Sequence, residues 1–213
     1  MTPSPPRASE LIIRNAEWAR RTANIDPGFI GRLESQNPKV LWIGCVDSRV
    51  PETTICDCTL GDILTHRNMA NIVTPADDSA HAAIEFAVEG LQVQDIVVVG
   101  HSLCGGVTEA WRLSRESVVP TDTPVQRWLR PLIALSKELE LDQVALEDRA
   151  RAVQILTKEN VKRQVLNVSN HKSVQDAWAR GRTLQIHGWL FQMETALLVD
   201  VTGPFSDSPI GNL

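Results

Sequence analysis

Asp95-Ile96-Val97-Val98-Val99-Gly100-His101-Ser102-Leu103-Cys104-Gly105-Gly106 decides how the rest of the chain is read. Its short apolar, β-branched run between polar residues has the pattern of a buried strand. The run stops at a glycine, delivers a histidine, then a cysteine three residues later, then two more glycines. Imidazole and thiolate both suit a borderline-soft cation such as Zn²⁺, and this spacing lets both reach one ion. The glycines allow the backbone to turn tightly beside it. Val40-Leu41-Trp42-Ile43-Gly44-Cys45-Val46-Asp47-Ser48-Arg49 has the same layout, an apolar run ending in glycine and a potential ligand. If the two strands are parallel neighbours, Cys45, His101 and Cys104 meet at their carboxyl ends, where open α/β sheets place their sites.

Outward from these strands, the pattern alternates. Asp62 to Asn68 reads as a further strand. Asp77-Asp78-Ser79 supplies N-cap chemistry for a helix with Ile84, Ala87, Val88 and Leu91 on one face. Gly105-Gly106 opens another helix through Trp111 and Leu113. Such strand–helix–strand units predict an α/β fold with a mostly parallel central sheet flanked by helices. A loop over Val118 to Pro124 leads to a helical half, carrying Trp128, Leu132 and Leu135, then Val161, Val165 and Val168, then Val174, Ala177 and Trp178. Gly181 is placed to terminate the last helix. Thr183 to His187 reads as a strand, and Leu197 to Val201 as an antiparallel edge strand near the C-terminus. At the other end, Ser9 to Arg21 reads as a short amphipathic helix with Ser9 as N-cap. The expectation is a single domain over 1–213, with an N-terminal helical arm over 1–35. The tail from Gly203, rich in Pro, Ser and Gly, is expected to run over the surface.

The 213 residues suit one α/β domain with a sizeable core. A formal charge of -5 and a pI near 5.5 give no reason to expect nucleic acid or an anionic membrane as partner. No apolar run approaches the roughly 20 residues that span a bilayer. The polar, proline-rich opening lacks a signal-peptide core, and Glu10 and Glu17 are foreign to a transit peptide. These features predict a cytoplasmic protein. A reducing compartment disfavours disulfides among the four cysteines. Cys56 and Cys58 lack glycine and histidine neighbours and read as spectators. His66, His81, His171 and His187 read as surface or structural.

Three ligands leave a tetrahedral ion one position short, the mark of a catalytic zinc rather than a structural one. Asp47 and Arg49 follow Cys45 closely enough to lie beside the metal, and arginine can hold a carboxylate in a bidentate pair. A carboxylate so held can accept a proton-bearing contact from water at the metal, or can itself take the fourth position and shut the site.

Cys45-x-Asp47-Ser48-Arg49 together with His101-x-x-Cys104-Gly105-Gly106 resembles the β-class carbonic anhydrases. Arg67-Asn68-x-Ala70-Asn71, Ile84-Glu85-Phe86-Ala87-Val88 and Leu184-x-Ile186-His187-Gly188-Trp189 resemble further family signatures in the right order. Pro51-Glu52-Thr53-Thr54 suggests the fungal branch. The resemblance implies reversible hydration of carbon dioxide to bicarbonate by a zinc-bound hydroxide, with one Zn²⁺ per chain on Cys45, His101 and Cys104. The best-known zinc water of pKa about 7 belongs to a three-histidine carbonic anhydrase; two thiolates should acidify water less, leaving compensation to Asp47 and Arg49 as catalytic residues. It further implies substrate contacts at Gln36 and Gly105, pocket walls at Leu64 and Phe86, and a homodimer or tetramer. Some members carry a second, inhibitory bicarbonate site of tryptophan, arginine and tyrosine. Trp42 and Arg67 match two of these, but Phe191 stands in the tyrosine's place. Inhibition of that kind is therefore expected to be weak or missing, with Asp47 staying on Arg49; simple packing of Trp42 on Phe191 is the alternative and predicts the same open site. Two other readings are a hydrolase of a CO₂ analogue such as carbon disulfide, and a non-catalytic protein whose zinc is closed by Asp47, Cys56 or Cys58.

Overall fold

The computed structural model describes residues 5–203; the tail from 204 onward, with the surface path expected for it, lies outside them. The described residues form two compact units, divided between Asn37 and Pro38.

In the first unit, α1 (Ala8–Ile25) begins at Arg7 rather than Ser9, which lies inside the helix. It is longer than the pattern from Ser9 to Arg21 predicts. It buries no residue, and Ile12 and Ile25 are 77% and 85% exposed. Trp18 meets Phe29 edge to face, with ring centroids 5.5 Å apart, across the Asp26-Pro27-Gly28 turn. Gln36 is exposed, beyond a short 3-10 turn over Gly31–Glu34.

The second unit is built on a five-stranded sheet in the order β2-β1-β3-β4-β5. After β1 (Val40–Cys45), Pro51 caps a single-turn helix, α2 (Glu52–Ile55). Next come β2 (Ile63–Asn68), α3 (Asp78–Glu85), which continues through a π turn over Phe86–Gly90, β3 (Asp95–His101) and α4 (Gly105–Ser114). The Asp77 side chain accepts from Ser79 N at 3.1 Å, the cap that the sequence signals. The helical half contains α5 (Pro124–Trp128), α6 (Arg130–Glu138), α7 (Arg149–Ser169) and α8 (Lys172–Ala179). Thr123 and Gln126 form a capping box on α5. Gly181 follows α8 at φ +74°, where a Cβ would be strained. Finally β4 (Gln185–Gln192) and β5 (Leu197–Asp200) close the sheet. β4 runs on to Gln192, past the His187 limit suggested by the sequence, because it must pair with β3 up to His101↔Phe191.

The pairs β1–β2, β1–β3 and β3–β4 are parallel, and β4–β5 is antiparallel. The mostly parallel α/β sheet with an antiparallel C-terminal strand is therefore as read from the sequence. Alternation along the strands sorts the side chains into two faces. Leu41, Ile43, Ile96, Val98 and Ile186 pack with Ile84 of α3, Val161, Val165 and Val168 of α7, and Val174 and Ala177 of α8. Trp42, Val97 and Val99 form a separate cluster with Trp189 on the other face. The carboxyl end of the sheet enters a third cluster, where Cys45, Cys104 and Phe191 meet α4 and α6. At Gly100 a Cβ would come within 2.6 Å of Val161 Cγ2, so the glycine that stops the β3 apolar run also lets α7 lie close on the sheet.

Candidate zinc centre

β1 and β3 lie side by side with Gly44 opposite Val99, so Cys45 and, one residue further along its strand, His101 emerge together at the carboxyl end. Cys45 ends β1, His101 ends β3, and Cys104 caps α4 with extended backbone. The two sulfurs are 4.0 Å apart, and one ligand atom from each of the three residues lies within 4.8 Å of the others. All three residues are buried. Among the described residues none of the other histidines joins them. His187 hydrogen bonds Asp95 at 2.8 Å, His81 stacks on His171 with centroids 5.1 Å apart, and His66 lies 3.1 Å from Asn68 Nδ2.

The donor set fits zinc. Sulfurs 4.0 Å apart are too far for a disulfide and near the about 3.8 Å that two thiolates at 2.3 Å from one tetrahedral ion require. His101 Nδ1 is 2.9 Å from the Ser102 carbonyl, which can only accept, so Nδ1 carries the hydrogen. Nε2 is then a bare lone pair, and it is a buried atom with no hydrogen-bond partner. Leaving such an atom unmatched is costly, and a cation removes the cost. The thiols say the same. A hydrogen bond from Cys104 pulls the Cys45 thiol well below its ordinary pKa, while that same bond and burial push Cys104 up. One proton thus serves two sulfurs, and a divalent ion in its place lets both ionise. Backbone N–H groups of Gly106 and Val107 point at Cys104 and favour its thiolate. Gly106 is needed there, since a Cβ would lie 3.0 Å from Met69 Cγ and 3.2 Å from Ala70 Cβ.

Asp47 and Arg49 form the bidentate pair. Arg49 Nε donates to Oδ1 at 2.9 Å and Nη2 to Oδ2 at 2.7 Å, with the Arg49 backbone N–H adding a third bond at 2.9 Å. The Arg49 side chain holds the Asp47 carboxyl far below the usual carboxylate range, and its backbone N–H adds to the effect. Oδ2 is 4.0 Å from His101 Nε2, beyond hydrogen-bond reach. Asp47, Cys56 and Cys58 are not among the groups that converge on the metal position.

Several supporting groups escape sequence reading. Arg49 Nη2 also donates to the Leu103 carbonyl at 3.2 Å, bracing the loop between His101 and Cys104. Leu103 adopts φ +57°, which nothing about leucine announces. Arg67 donates from Nε to the Cys45 carbonyl at 2.8 Å and from Nη2 to the Asp47 carbonyl at 2.6 Å, so it braces the ligand strand. The Ala70 backbone N–H points at Cys45 Sγ from 3.4 Å.

Other expected site residues are placed differently. Leu64 pairs with Leu41, four residues upstream of the Cys45 level and hence roughly 13 Å away along the strand. Its side chain packs against the α3–α7–α8 cluster. Phe86 is 49% exposed and lies over Gly90. Neither lines the metal centre within one chain, because strand register and the π turn carry them away from it. Gly105 sits beside Cys104 with open space where a Cβ would be. Gln36 belongs to the first unit. The alternative of Trp42 packing on Phe191 is not what the side chains do. Trp42 meets Trp189 edge to face at 6.3 Å, while Phe191 packs in the cluster with Cys45 and Cys104.

Residues 40–198 match the family model described as carbonic anhydrase. A carbonic anhydrase from Emericella nidulans is 34% identical over 92% of this chain and 84% of its own length. One from Saccharomyces cerevisiae is 30% identical over 91% and 88%. Among solved structures, a tetrameric β-carbonic anhydrase from Sordaria macrospora superposes with TM-score 0.83 at 35% identity, covering 92% of this chain and 98% of its own. The β-carbonic anhydrase CafA of Aspergillus fumigatus does so with TM-score 0.81 at 36% identity, over 91% and 90%. Two strand ends that converge on a zinc-ready Cys, His, Cys set, in a chain matched along most of its length, place this protein in the β-class carbonic anhydrase family, with fungal enzymes among its relatives.

Proposed function

We propose that this chain interconverts carbon dioxide and bicarbonate at a zinc ion held by Cys45, His101 and Cys104, with Asp47 and Arg49 as the catalytic pair. The observation that carries the reading is the buried set of two sulfurs and one bare imidazole nitrogen beside an arginine-bound carboxylate. Zinc bound there supplies a Lewis acid that makes water nucleophilic near neutral pH. Asp47, kept ionised by Arg49, has oxygens that only accept hydrogen bonds. It can therefore orient water by accepting a hydrogen bond from it, and it discriminates against groups that bring only lone pairs. Arg49 holds that carboxylate away from the metal position and ties it through the Leu103 carbonyl to the second ligand loop. Arg67 fixes the carbonyls on either side of Val46, so the first ligand and the carboxylate move as one piece. Val46 and Leu103, each next to a thiolate in the chain, expose apolar side chains suited to a small apolar gas. Gly105 leaves room for the product bicarbonate, and Gln36 joins it as a contact on the family resemblance alone.

A closed zinc would need a fourth ligand from Asp47, Cys56 or Cys58, and none of these turns to the metal position. The test is stopped-flow hydration of carbon dioxide by zinc-loaded and zinc-stripped protein. Turnover is expected in the first and none above buffer in the second. A fully zinc-loaded protein that leaves the hydration rate at its buffer value would overturn the reading.

The proposal includes a dimer or larger assembly in which the 1–35 arm belongs to a single functional domain. Its support is the uncovered apolar surface of Leu11, Ile12 and Ile13 on α1, together with the tetrameric state named for the Sordaria enzymes. A cytoplasmic location rests on four free cysteines, the state that a reducing compartment maintains. Among the described residues, no helix is long and apolar enough to cross a membrane.

A further inference from the structure

Three amide side chains on one face of α7 reach from the helix to the loop behind Cys45. Gln164 Oε1 accepts from the Val73 backbone N–H at 2.9 Å, and a backbone N–H can only donate. Gln164 Nε2 must therefore point the other way, where it donates to Asn160 Oδ1 at 2.8 Å. That leaves Asn160 Nδ2 to donate to the Ala70 carbonyl at 2.9 Å. The third amide, Asn167, donates to the Val73 carbonyl at 2.8 Å and to Gln164 Oε1 at 3.0 Å. Backbone groups at both ends thus determine every oxygen and nitrogen in the ladder.

The residue at the far end is under strain. Ala70 has φ +61° and ψ +26°, and Asn71 follows at φ +48°. Consecutive left-handed residues with a Cβ are disfavoured and persist only where their surroundings impose them. Ala70 is fully buried, Asn160 is 1% exposed, and the Trp128 indole N–H adds a bond to the Met69 carbonyl at 2.9 Å. In this conformation the Ala70 N–H is turned toward Cys45 Sγ, 3.4 Å away. Hydrogen bonds to ligating groups tune a metal site from outside its coordination shell.

We propose that Asn160 is a positioning residue for the zinc thiolate. By holding the Ala70 carbonyl it keeps Ala70 left-handed, and from that conformation alone the Ala70 N–H reaches Cys45 Sγ. The inference rests on Cys45 being a zinc ligand and adds a residue 115 positions along the chain to the upkeep of that bond.

The test compares Asn160→Leu, Ala70→Gly and the double variant with the parent. Zinc affinity is read by chelator competition, the sulfur-to-metal charge-transfer band in cobalt-substituted protein, and stability by thermal melting. Asn160→Leu should weaken zinc by about 10- to 100-fold, the range for residues supporting a ligand, and should shift the cobalt band. Ala70→Gly alone should stay near the parent. Added to Asn160→Leu, it should restore most of the affinity, because glycine holds a left-handed conformation without help. Asn160→Ser, too short to reach the carbonyl, gives the same comparison if the leucine variant does not fold. A lower melting temperature with unchanged affinity and band would make Asn160 purely structural and overturn the proposal. Weakened zinc that Ala70→Gly does not restore would overturn the route through Ala70. A parent protein that binds no zinc would instead remove the site reading on which both stand.

Discussion

Cys56 and Cys58 stand two residues apart in sequence, whereas Cys45 and Cys104 are separated by 59 positions and bring their sulfurs within 4.0 Å. The near pair lies half-buried just after the single turn of α2, which Cys56 caps, with Cys58 Sγ donating to the Cys56 carbonyl at 3.5 Å. Burial pushes both of its thiols up, helped at Cys56 by Cys58 and Glu52 and at Cys58 by Asp62 and Asp57. The distant pair is buried too, but donors face it: helix N–H groups on Cys104 and the Ala70 N–H on Cys45. Cysteine chemistry here follows what the sulfur faces, and not how close the next cysteine stands in the chain.

The largest effect that could break this contrast is in metal content. Cys45→Ser or Cys104→Ser should abolish stoichiometric zinc, since two ligands are too few to hold it against buffer, while Cys56→Ser and Cys58→Ser should retain one zinc per chain by elemental analysis. Equal zinc in all four would erase the distinction.

Next in size, Asp47→Asn should keep the zinc, because Asp47 is outside the ligand set, but should lower carbon dioxide turnover by roughly 10²-fold, as for a lost acid–base group. Unchanged turnover would reduce the pair with Arg49 to a structural bond.

A smaller effect concerns reactivity in the zinc-loaded protein. Thiols whose pKa is raised hold less thiolate at a given pH, so alkylation of Cys56 and Cys58 should still be accelerating above pH 9.0, the ordinary thiol value. Site-resolved mass spectrometry should show this rise, with Cys45 and Cys104 protected. A plateau below pH 9.0 at Cys56 would contradict its surroundings.

The smallest effect sharpens the view of the near pair as spectators. Cys56→Ser and Cys58→Ser should each change stability by no more than about 0.5 kcal/mol, as for partly exposed positions without special partners. That corresponds to melting within about 2 °C of the parent for a chain of this size. A drop of several degrees would give the pair a packing role.

Much of this was legible because the signals are local. The β-branched run before Gly100 and its counterpart before Gly44 can hardly be anything but buried strands. Asp77 caps its helix through a bond spanning two residues, and Gly181 meets a positive φ by having no Cβ. The Asp47–Arg49 pair spans only two residues, so its geometry is nearly contained in its own sequence. Where the sequence is silent, the deciding force comes from far along the chain. The β1–β2 register sets Leu64 opposite Leu41, a placement that no local signal reports. Trp42 turns to Trp189 because both side chains leave the sheet on one face, which alternation alone cannot pair.

The sequence by itself determined the strand and helix pattern, the residue types able to bind zinc and the carboxylate–guanidinium pair beside them, because each depends on chemistry within a few residues. Only the tertiary structure decided that Cys45, His101 and Cys104 converge, that His101 Nε2 is the nitrogen left bare, that Arg67 holds the Cys45 carbonyl and that the Ala70 N–H faces the Cys45 sulfur. Those facts depend on parallel pairing and on α7 lying across the sheet at Gly100. Both are set by burial summed over the whole domain, which no short stretch of the chain contains.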